Sequence, residues 1–256
     1  MRKLIGKLIA GITKSKGNKF CSACESRIPF FLPHPKFLAN NRLIEELGVI
    51  GSDLINYMCP VCHSHDRERH LILYLKHTKH KLFDCNCSIL HFAPEKNIPK
   101  YIDSLSPKKY VLADLYPSSS HVEKIDMESI NYPEKYFNLV IANHVLEHVK
   151  NDTRAISEIH RVLSPSGYLI VQTPYSSKMK NTIDDEGRCS DYIRTSLYGQ
   201  SDHLRLYGMD FYEKICSYGF VSLKSDHNDL LRNIDPNLYG VNPEEPFMLF
   251  QKLAIV

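Results

Sequence analysis

Short apolar runs alternate with stretches of helical periodicity from about residue 88 to the end of the chain. Strands that alternate with helices in this way indicate an α/β domain with a parallel sheet, because each helix carries the chain back to start the next parallel strand. The apolar runs predict seven strands, at Ser88–Ala93, Tyr110–Asp114, Val122–Ile125, Phe137–Asn143, Tyr168–Thr173, Gly219–Leu223 and Phe247–Ala254.

Two helices are predicted between the later strands. The first runs from Asp152 to Leu163, with Asn151 or Asp152 as its cap, and it stops in a tight turn at Ser164–Gly167. The second covers Asp210–Tyr218 and ends at Gly219. The first helix places its apolar residues on one face, at Ala155, Ile156, Ile159, Val162 and Leu163.

The chain before residue 80 has a different texture. It combines a basic N-terminal stretch, a proline-rich stretch at Pro29–Pro35 and two pairs of cysteines. One helix is expected between the cysteine pairs, and another at about Arg67–Thr78. The apolar positions that suggest the first of these helices are Phe37, Leu38, Leu43, Ile44 and Leu47. We therefore expect two units, residues 1–80 and residues 81–256, with the weakly periodic residues 174–207 as a lid or substrate loop.

Composition and charge exclude some classes of protein. The 256 residues include 32 Lys and Arg against 29 Asp and Glu, a net charge of +3, and 43% are hydrophobic. This is enough apolar material for a full core, and the charge is too small for a broad nucleic-acid surface. Because no apolar run is long enough for a membrane span, we expect no transmembrane segment. Residues 1–14 predict a basic amphipathic helix that docks on the protein's own core or contacts an anionic membrane surface.

The two C-x-x-C pairs predict a zinc site. Each short turn of Cys21-Ser-Ala-Cys24 and Cys59-Pro-Val-Cys62 brings two thiolates toward one ion, and four thiolates close a tetrahedral shell. A closed shell indicates a structural metal. The alternatives are two disulfides or four buried thiols. Disulfides require an oxidising compartment, and because nothing in the sequence marks export, we expect a cytoplasmic protein.

The remaining cysteines do not suggest a site. Cys85 and Cys87, just before an apolar strand, are interpreted as buried packing residues. Cys189 and Cys216 are interpreted as ordinary small hydrophobes.

Polar residues follow several predicted strands at the points where the strands end. They are His91 to Glu95, Asp114, Asp126 with Met127, and Asn143 with His144. Ligands of open α/β sheets bind at these carboxyl ends, and an acidic residue after the second strand suits ribose hydroxyls. The G-x-G-x-x-G turn that binds a pyrophosphate is missing, so the pattern predicts a nucleoside ligand without phosphates.

Three runs together resemble the class I S-adenosylmethionine-dependent methyltransferases, in the branch called methyltransferase type 11. They are Phe137-Asn-Leu-Val-Ile-Ala-Asn-His-Val-Leu-Glu-His-Val149, Ala155-x-x-Glu158-Ile-His-Arg-Val-Leu-Ser-Pro-Ser-Gly167 and Tyr168-Leu-Ile-Val-Gln-Thr-Pro174. Within that branch, Leu90-His-Phe-Ala-Pro-Glu95 and Gly199-Gln-x-Asp-His-x-Arg-x-Tyr-Gly208 resemble a bacterial subgroup with a preceding cysteine-knuckle segment.

The resemblance implies a Rossmann-like, seven-stranded, mostly parallel sheet with helices on both faces, and S-adenosylmethionine as cofactor. By this resemblance Asp114 holds the ribose, Asp126 and Met127 flank the adenine, and Ala93 to Glu95 line the methionine end. The full set of candidate cofactor residues is His91, Ala93, Glu95, Asp114, Leu115, Asp126, Met127, Asn143 and His144. One departure is that His91 and Ala93-Pro94-Glu95 replace the family's acidic residue and glycine-rich turn, which leaves Glu95 to meet the cofactor's ammonium group.

The acceptor side is expected in the segment 174–207. Asp202 and His203 are candidate catalytic residues, and Arg205 and Tyr207 are candidate substrate residues, because an imidazole can take a proton and a guanidinium can grip an anion. The alternative is that Asp202 and His203 cap the following turn and that Arg205 is a surface charge. The charged run from His63 to His70 is interpreted as a solvated face, with contact to RNA or an acidic substrate as the alternative.

The predicted function is methyl transfer from S-adenosylmethionine to a small-molecule or glycan-linked acceptor, at oxygen or nitrogen. One alternative is an RNA nucleobase methyltransferase, since ribosomal-RNA guanine methyltransferases also place four zinc ligands ahead of this fold. The other is a zinc-stabilised, non-catalytic binding module. Cofactor binding separates the two enzymes from the module.

Overall fold

The computed structural model describes residues 17–35, 41–84 and 86–254. The predicted basic helix at residues 1–14 lies outside the described residues, as do Cys85 and the first part of the predicted helix between the cysteine pairs.

The strands of the described chain are short, and most of them belong to one central sheet. They are β1 (Lys19–Cys21), β2 (Ser26–Ile28), β3 (Val49–Ile50), β4 (Ser88–Phe92), β5 (Lys109–Asp114), β6 (Glu123–Lys124), β7 (Phe137–Ala142), β8 (Leu163–Ile170), β9 (Tyr175–Ser176), β10 (Ile183–Asp184), β11 (Arg205–Leu206), β12 (Phe220–Ser222) and β13 (Leu249–Lys252). The helices are Arg42–Glu46, Asp66–Leu82, Ile98–Ser104, Asp152–Val162, Asp191–Tyr198, Asp210–Cys216, His227–Leu230 and Pro236–Tyr239, with a 3-10 turn at Leu146–His148.

The central sheet has seven strands in the order β12-β13-β8-β7-β4-β5-β6. Strands β8, β7, β4, β5 and β6 run parallel, and β13 pairs antiparallel with both β8 and β12. The prediction of a seven-stranded, mostly parallel sheet is confirmed. The switch in strand order lies between β4 and β7, so the carboxyl ends of β4, β5 and β7 form one edge where a ligand can bind.

Helices pack on both faces of this sheet. On one face Ile156, Ile159 and Phe211, from two helices, share a buried core with Leu90 and Val140 of the strands. On the other face the helix Asp66–Leu82 packs through Leu71, Ile72 and Leu75 against residues such as Ile89, Leu139 and Ile141. Adjacent residues of one buried strand therefore point into opposite cores, as the two-residue period of a strand requires.

The helix Asp152–Val162 forms as its sequence predicts. The Asn151 side chain accepts a hydrogen bond from the main-chain N–H of Arg154 at 3.0 Å, which caps the first turn. The predicted tight turn at Ser164–Gly167 is wrong, because β8 begins at Leu163 and includes these residues. Ser166 takes a positive φ of 61°, and the pairing of β7 with β8 shifts register there, so an irregular strand replaces the turn.

The charged run after the second cysteine pair is not a solvated face. Asp66, Glu68, Arg69 and His70 are all buried. They begin the helix Asp66–Leu82, which is longer than the predicted Arg67–Thr78, and this helix lies between the sheet and the cysteine segment. Asp66, Glu68 and Arg69 therefore form hydrogen bonds inside the protein, and His63, His65 and Arg67 are half-buried.

The segment between β8 and β12 is tied down at several points. Strand β9 pairs with β3, and β10 pairs with β11. The helix Asp191–Tyr198 ends at Gly199, whose φ of 84° suits a left-handed C-terminal cap. Among the described residues no helix is long and apolar enough to cross a membrane.

Candidate functional site at the carboxyl edge of the sheet

The turn after β4 gathers polar atoms at the switch point. Ala93 adopts a positive φ of 44°, a conformation that glycine takes more readily. Glu95 accepts a hydrogen bond from the side-chain amide of Asn143, which follows β7. Oε2 of Glu95 and Oδ1 of Asn143 are buried and have no hydrogen-bond partner among the described residues. Two unpaired buried acceptors at a switch point indicate a site for a ligand that carries hydrogen-bond donors.

His91 lies behind this turn and does not face its surface. The ring is fully buried, with Nδ1 2.7 Å from the hydroxyl of Tyr110 and Nε2 3.4 Å from Glu95 Oε2. Burial raises the pKa of the Glu95 carboxyl, but the contact with His91 and its charge outweigh burial and leave this pKa below its ordinary value. Glu95 is therefore an ionised acceptor that can meet a cation.

Asp114 is the last residue of β5, and Asp126 follows β6 by two residues. Oδ1 of Asp114 accepts a hydrogen bond from the N–H of Tyr116 at 2.8 Å, and Oδ1 of Asp126 accepts one from the N–H of Glu128 at 2.9 Å. Each turn fixes one carboxylate oxygen and leaves the other without a hydrogen bond in the described chain. Leu115 beside Asp114 is exposed, whereas Met127 is buried. The sequence predicts the ribose contact at Asp114 and the adenine contacts at Asp126 and Met127.

His144 belongs to a buried network of charged groups. Its Nδ1 lies 3.5 Å from Glu147 Oε1, and its Nε2 lies 3.3 Å from Glu245 Oε1. Burial and the charge of Arg67 disfavour the imidazolium, but the contacts with Glu147 and Glu245 outweigh them and raise the pKa of His144 to about 9. His144 therefore shapes the turn after β7 from inside the protein, and its ring nitrogens face protein carboxylates.

Arg205 is buried and all three of its nitrogens are used within the protein. It donates to Asp184 Oδ2 at 2.7 Å and to the main-chain oxygens of Leu146, Val149 and Lys150. The predicted alternative of a surface charge is wrong, because Arg205 is 2% exposed. Its hydrogen-bond partners are protein atoms instead of the predicted anionic substrate. Arg205 therefore holds the segment 174–207 against the turn after β7.

Tyr207 is also buried, and its hydroxyl donates to Asp152 Oδ2 at 2.9 Å. Asp152 starts the helix that follows the turn, and it also accepts a hydrogen bond from Lys214 at 2.5 Å. Both residues predicted to bind substrate are thus engaged in holding the segment in place.

The two candidate catalytic residues differ in exposure. Asp202 is exposed, with Oδ2 3.4 Å from Nδ1 of His148, whereas His203 is buried. The rings of His148 and His203 have centroids 4.7 Å apart. Burial lowers the pKa of His203, so this imidazole is neutral near pH 7 and keeps a lone pair. His203 lies beside Glu147 and His148 of the turn after β7.

The four cysteines of the two pairs form one cluster. Sγ of Cys21 lies 3.7 Å from Sγ of Cys62, and Sγ of Cys24 lies 3.9 Å from Sγ of Cys59. A zinc ion with four sulfurs at about 2.3 Å separates them by about 3.8 Å, whereas a disulfide needs about 2.05 Å. Hydrogen bonds from Cys21 and Cys59 lower the pKa of Cys24 to about 6, which favours the thiolate. The cluster fits zinc, and all four cysteines are free thiols.

The sequence did not single out Glu245, which the structure places at the centre of the buried network. Its carboxylate contacts both His144 and Nδ1 of His70, and His70 in turn contacts His227 at 2.9 Å. No local pattern could reveal this role, since Glu245 and His144 are 101 residues apart.

Comparisons with known proteins agree with this architecture. Residues 101–171 match a family model described as a methyltransferase domain. No curated protein matches the chain. A solved S-adenosylmethionine-dependent methyltransferase from Mesorhizobium loti is 14% identical with a TM-score of 0.50, over 68% of this chain and 95% of that one. The 1,6-didemethyltoxoflavin-N1-methyltransferase of Burkholderia thailandensis is 10% identical with a TM-score of 0.48, over 73% of this chain and 78% of that one.

The sheet order and the likeness in fold show a Rossmann-like fold of the kind found in solved methyltransferases. Residues 101–171 match a methyltransferase domain, as the sequence predicts.

Proposed function

We propose that this protein binds S-adenosylmethionine at the carboxyl edge of its sheet and methylates an oxygen or nitrogen atom of a small-molecule or glycan-linked acceptor. The observation that carries the proposal is the pair of buried acceptors Glu95 Oε2 and Asn143 Oδ1, which make no hydrogen bond at the switch point, although Glu95 Oε2 lies 3.4 Å from His91 Nε2. A buried acceptor without a partner costs roughly 1–3 kcal/mol, so a ligand with donors at this place is favoured. The cofactor's ammonium group carries such donors.

The other candidate residues divide the cofactor between them. Asp114 receives the ribose hydroxyls through its second carboxylate oxygen, with Leu115 beside it. Asp126 and Met127 flank the adenine. The turn of Ala93 lies against the methionine end, where its positive φ allows the close approach that glycine usually provides. His91 orients Glu95, and His144 shapes the turn after β7.

When bound, the cofactor supplies an activated methyl group, so the protein mainly has to align the acceptor and exclude water. The segment 174–207 favours a small acceptor, because Arg205 holds it against the turn after β7 through hydrogen bonds. His203 and Tyr207 of this segment are buried. His203 offers a neutral imidazole on this side, and Asp202 lies at its exposed rim. We place the reaction in the cytoplasm, since four free thiols at one point suit a reducing compartment.

Calorimetry with S-adenosylhomocysteine tests the cofactor site. The intact protein should bind it, and Asp114→Ala should weaken binding at least about tenfold, since a hydrogen bond to a charged group contributes roughly 1.5–3 kcal/mol. Asp103→Ala is the matched control, because Asp103 is exposed on a helix away from the strand ends. Equal affinity in Asp114→Ala would refute the assignment, and no binding at millimolar ligand would favour the non-catalytic module.

An acceptor screen with methyl-labelled cofactor tests the substrate class. Sugars and small acids should take up label, and a pool of RNA should not. Label found in RNA alone would overturn the small-molecule proposal in favour of the nucleobase alternative.

A further inference from the structure

Two groups of metal-ligating side chains occur in the part of the chain that the structure describes. One is the cysteine cluster, and the other consists of Glu147, His148 and His203. One ligand atom from each of these three residues lies within 4.8 Å of the other two. Three donors at about 2.1 Å from one Zn²⁺ ion lie at most about 4.2 Å from one another, so a small approach of these atoms brings them to one ion.

The hydrogen bonds of the two histidines leave the same nitrogen available in each ring. Nδ1 of His203 lies 3.2 Å from the main-chain oxygen of Tyr198, and Nδ1 of His148 lies 3.1 Å from that of Asp202. A carbonyl oxygen only accepts, so each Nδ1 carries a proton, and Nε2 is the nitrogen that each ring can offer to a metal ion. Metal-binding histidines are commonly oriented in this way.

Glu147 supplies the third donor. Its Oε2 accepts a hydrogen bond from the hydroxyl of Thr173 at 3.1 Å, and its Oε1 is buried, makes no hydrogen bond and lies 3.5 Å from Nδ1 of His144. A buried carboxylate next to two imidazoles offers three donor atoms to one cation.

The fold holds these three residues together across the chain. Glu147 and His148 belong to the turn after β7, and His203 precedes β11. The N–H of Leu204 donates to the main-chain oxygen of Glu147 at 2.9 Å, and Arg205 binds the carbonyls on either side of this turn. The positions of the ligands are therefore set before any ion binds.

We propose that Glu147, His148 and His203 bind a first-row divalent transition-metal ion. Two imidazoles and one carboxylate suit Zn²⁺, Mn²⁺ or Fe²⁺, and three protein ligands leave coordination positions open, unlike the four thiolates of the cysteine cluster. An open position at the turn after β7 takes an oxygen of the acceptor and lowers the pKa of a hydroxyl there. This second part rests on the proposed function, whereas binding of the ion does not.

The experiment titrates Mn²⁺ into the full-length protein after its zinc content has been measured, with electron paramagnetic resonance to report free Mn²⁺. Mn²⁺ is the probe because it prefers oxygen and nitrogen donors and leaves a thiolate site alone. We expect one Mn²⁺ site per chain. His148→Ala and Glu147→Gln should each weaken it at least about a hundredfold, since losing a group that merely orients a ligand already costs roughly 10–100-fold.

His121→Ala is the matched control, because His121 is an exposed histidine away from the cluster. His148 is partly exposed, so His148→Ala should fold even if Glu147→Gln does not. Absence of a Mn²⁺ site, or the same affinity in His148→Ala as in the parent protein, would overturn the proposal. Binding of S-adenosylhomocysteine without added Mn²⁺ is measured in parallel, so failure of the cofactor site and failure of the metal site give different results.

Discussion

The guanidinium of Arg69 lies 2.6 Å from the main-chain oxygen of Gly240. The same side chain donates to the carbonyls of Tyr239, Tyr57, Ser64 and Asn56, and it lies 3.8 Å from the ring centroid of Phe31. Arg69 thereby joins the cysteine segment, the helix Asp66–Leu82 and the loop before the last strand. A rigid planar group with five donors can bind carbonyls from several directions at once.

Arg69→Met should destabilise the protein by at least about 3 kcal/mol, because each buried carbonyl left unpaired costs roughly 1–3 kcal/mol. Urea unfolding measures the change. Arg232→Met is the control, since Arg232 is exposed. Equal unfolding midpoints for the two variants would contradict the role of Arg69.

Zinc removal should unfold the cysteine segment. We expect about one zinc per chain in the purified protein, and Cys21→Ser should lose it and lower the thermal midpoint, because a structural zinc contributes its binding energy to folding. Metal analysis and calorimetry measure the two effects. Cys216→Ser, a half-buried cysteine outside the cluster, should change neither. Full zinc content in Cys21→Ser would exclude the cluster as the site.

Glu68 should make stability depend on pH. Burial raises the pKa of its carboxyl from an ordinary 4.5 to about 7. The hydrogen bond from Asn97 lowers this pKa, and the charge of Glu95 raises it further. The native state therefore holds a proton that the unfolded chain has released, and the stability of the parent protein falls as pH rises from about 4.5 through 7.

Glu68→Gln removes this loss of stability, because glutamine does not titrate. It also keeps an oxygen that can accept the hydrogen bond that the Asn97 amide donates to Glu68 Oε2 at 2.8 Å. Between pH 5 and pH 8, the free energy of unfolding of this variant should rise by up to about 3 kcal/mol relative to that of the parent protein. Urea unfolding of both proteins at each pH measures the gain, and other titrating groups cancel in the comparison. A difference that does not change with pH would refute the raised pKa.

Gly167 should tolerate no side chain. A Cβ there would lie 2.9 Å from the main-chain oxygen of Ser164 and 3.1 Å from that of Asn138. Gly167→Ala should cost about 1–3 kcal/mol, as overpacking does. Gly51→Ala is the control, because the nearest atom to its added Cβ is 3.8 Å away. Thermal unfolding separates the two, and equal midpoints would show that β8 shifts to make room.

The positions of strands and helices could be predicted because they follow from local periodicity. The apolar runs of β4 and β7 and the one-sided pattern of the helix Asp152–Val162 appear in the sequence within a few residues of their observed ends. The cysteine cluster could also be predicted, because a C-x-x-C turn brings two sulfurs together in any surroundings.

The roles of the charged residues could not be predicted in the same way. From the sequence, the run from His63 to His70 is interpreted as a solvated face, and Arg205 as a substrate residue or a surface charge, but Glu68, Arg69, His70 and Arg205 are buried. Their partners include the carbonyls of Gly240 and Leu146 and the carboxylate of Glu245, which come from distant parts of the chain. A charged side chain is buried only where such partners converge, and convergence is a property of packing.

The sequence by itself therefore determined the α/β class, the seven strands of the central sheet, the cysteine pairs and the strand ends at which we propose that a ligand binds. Only the tertiary structure decided that the helix Asp66–Leu82 covers one face of the sheet, that Arg205 fastens the segment 174–207, and that His203 lies beside Glu147 and His148. Periodicity shows which face of an element is buried, but the partner on the other side of that contact depends on how distant segments pack.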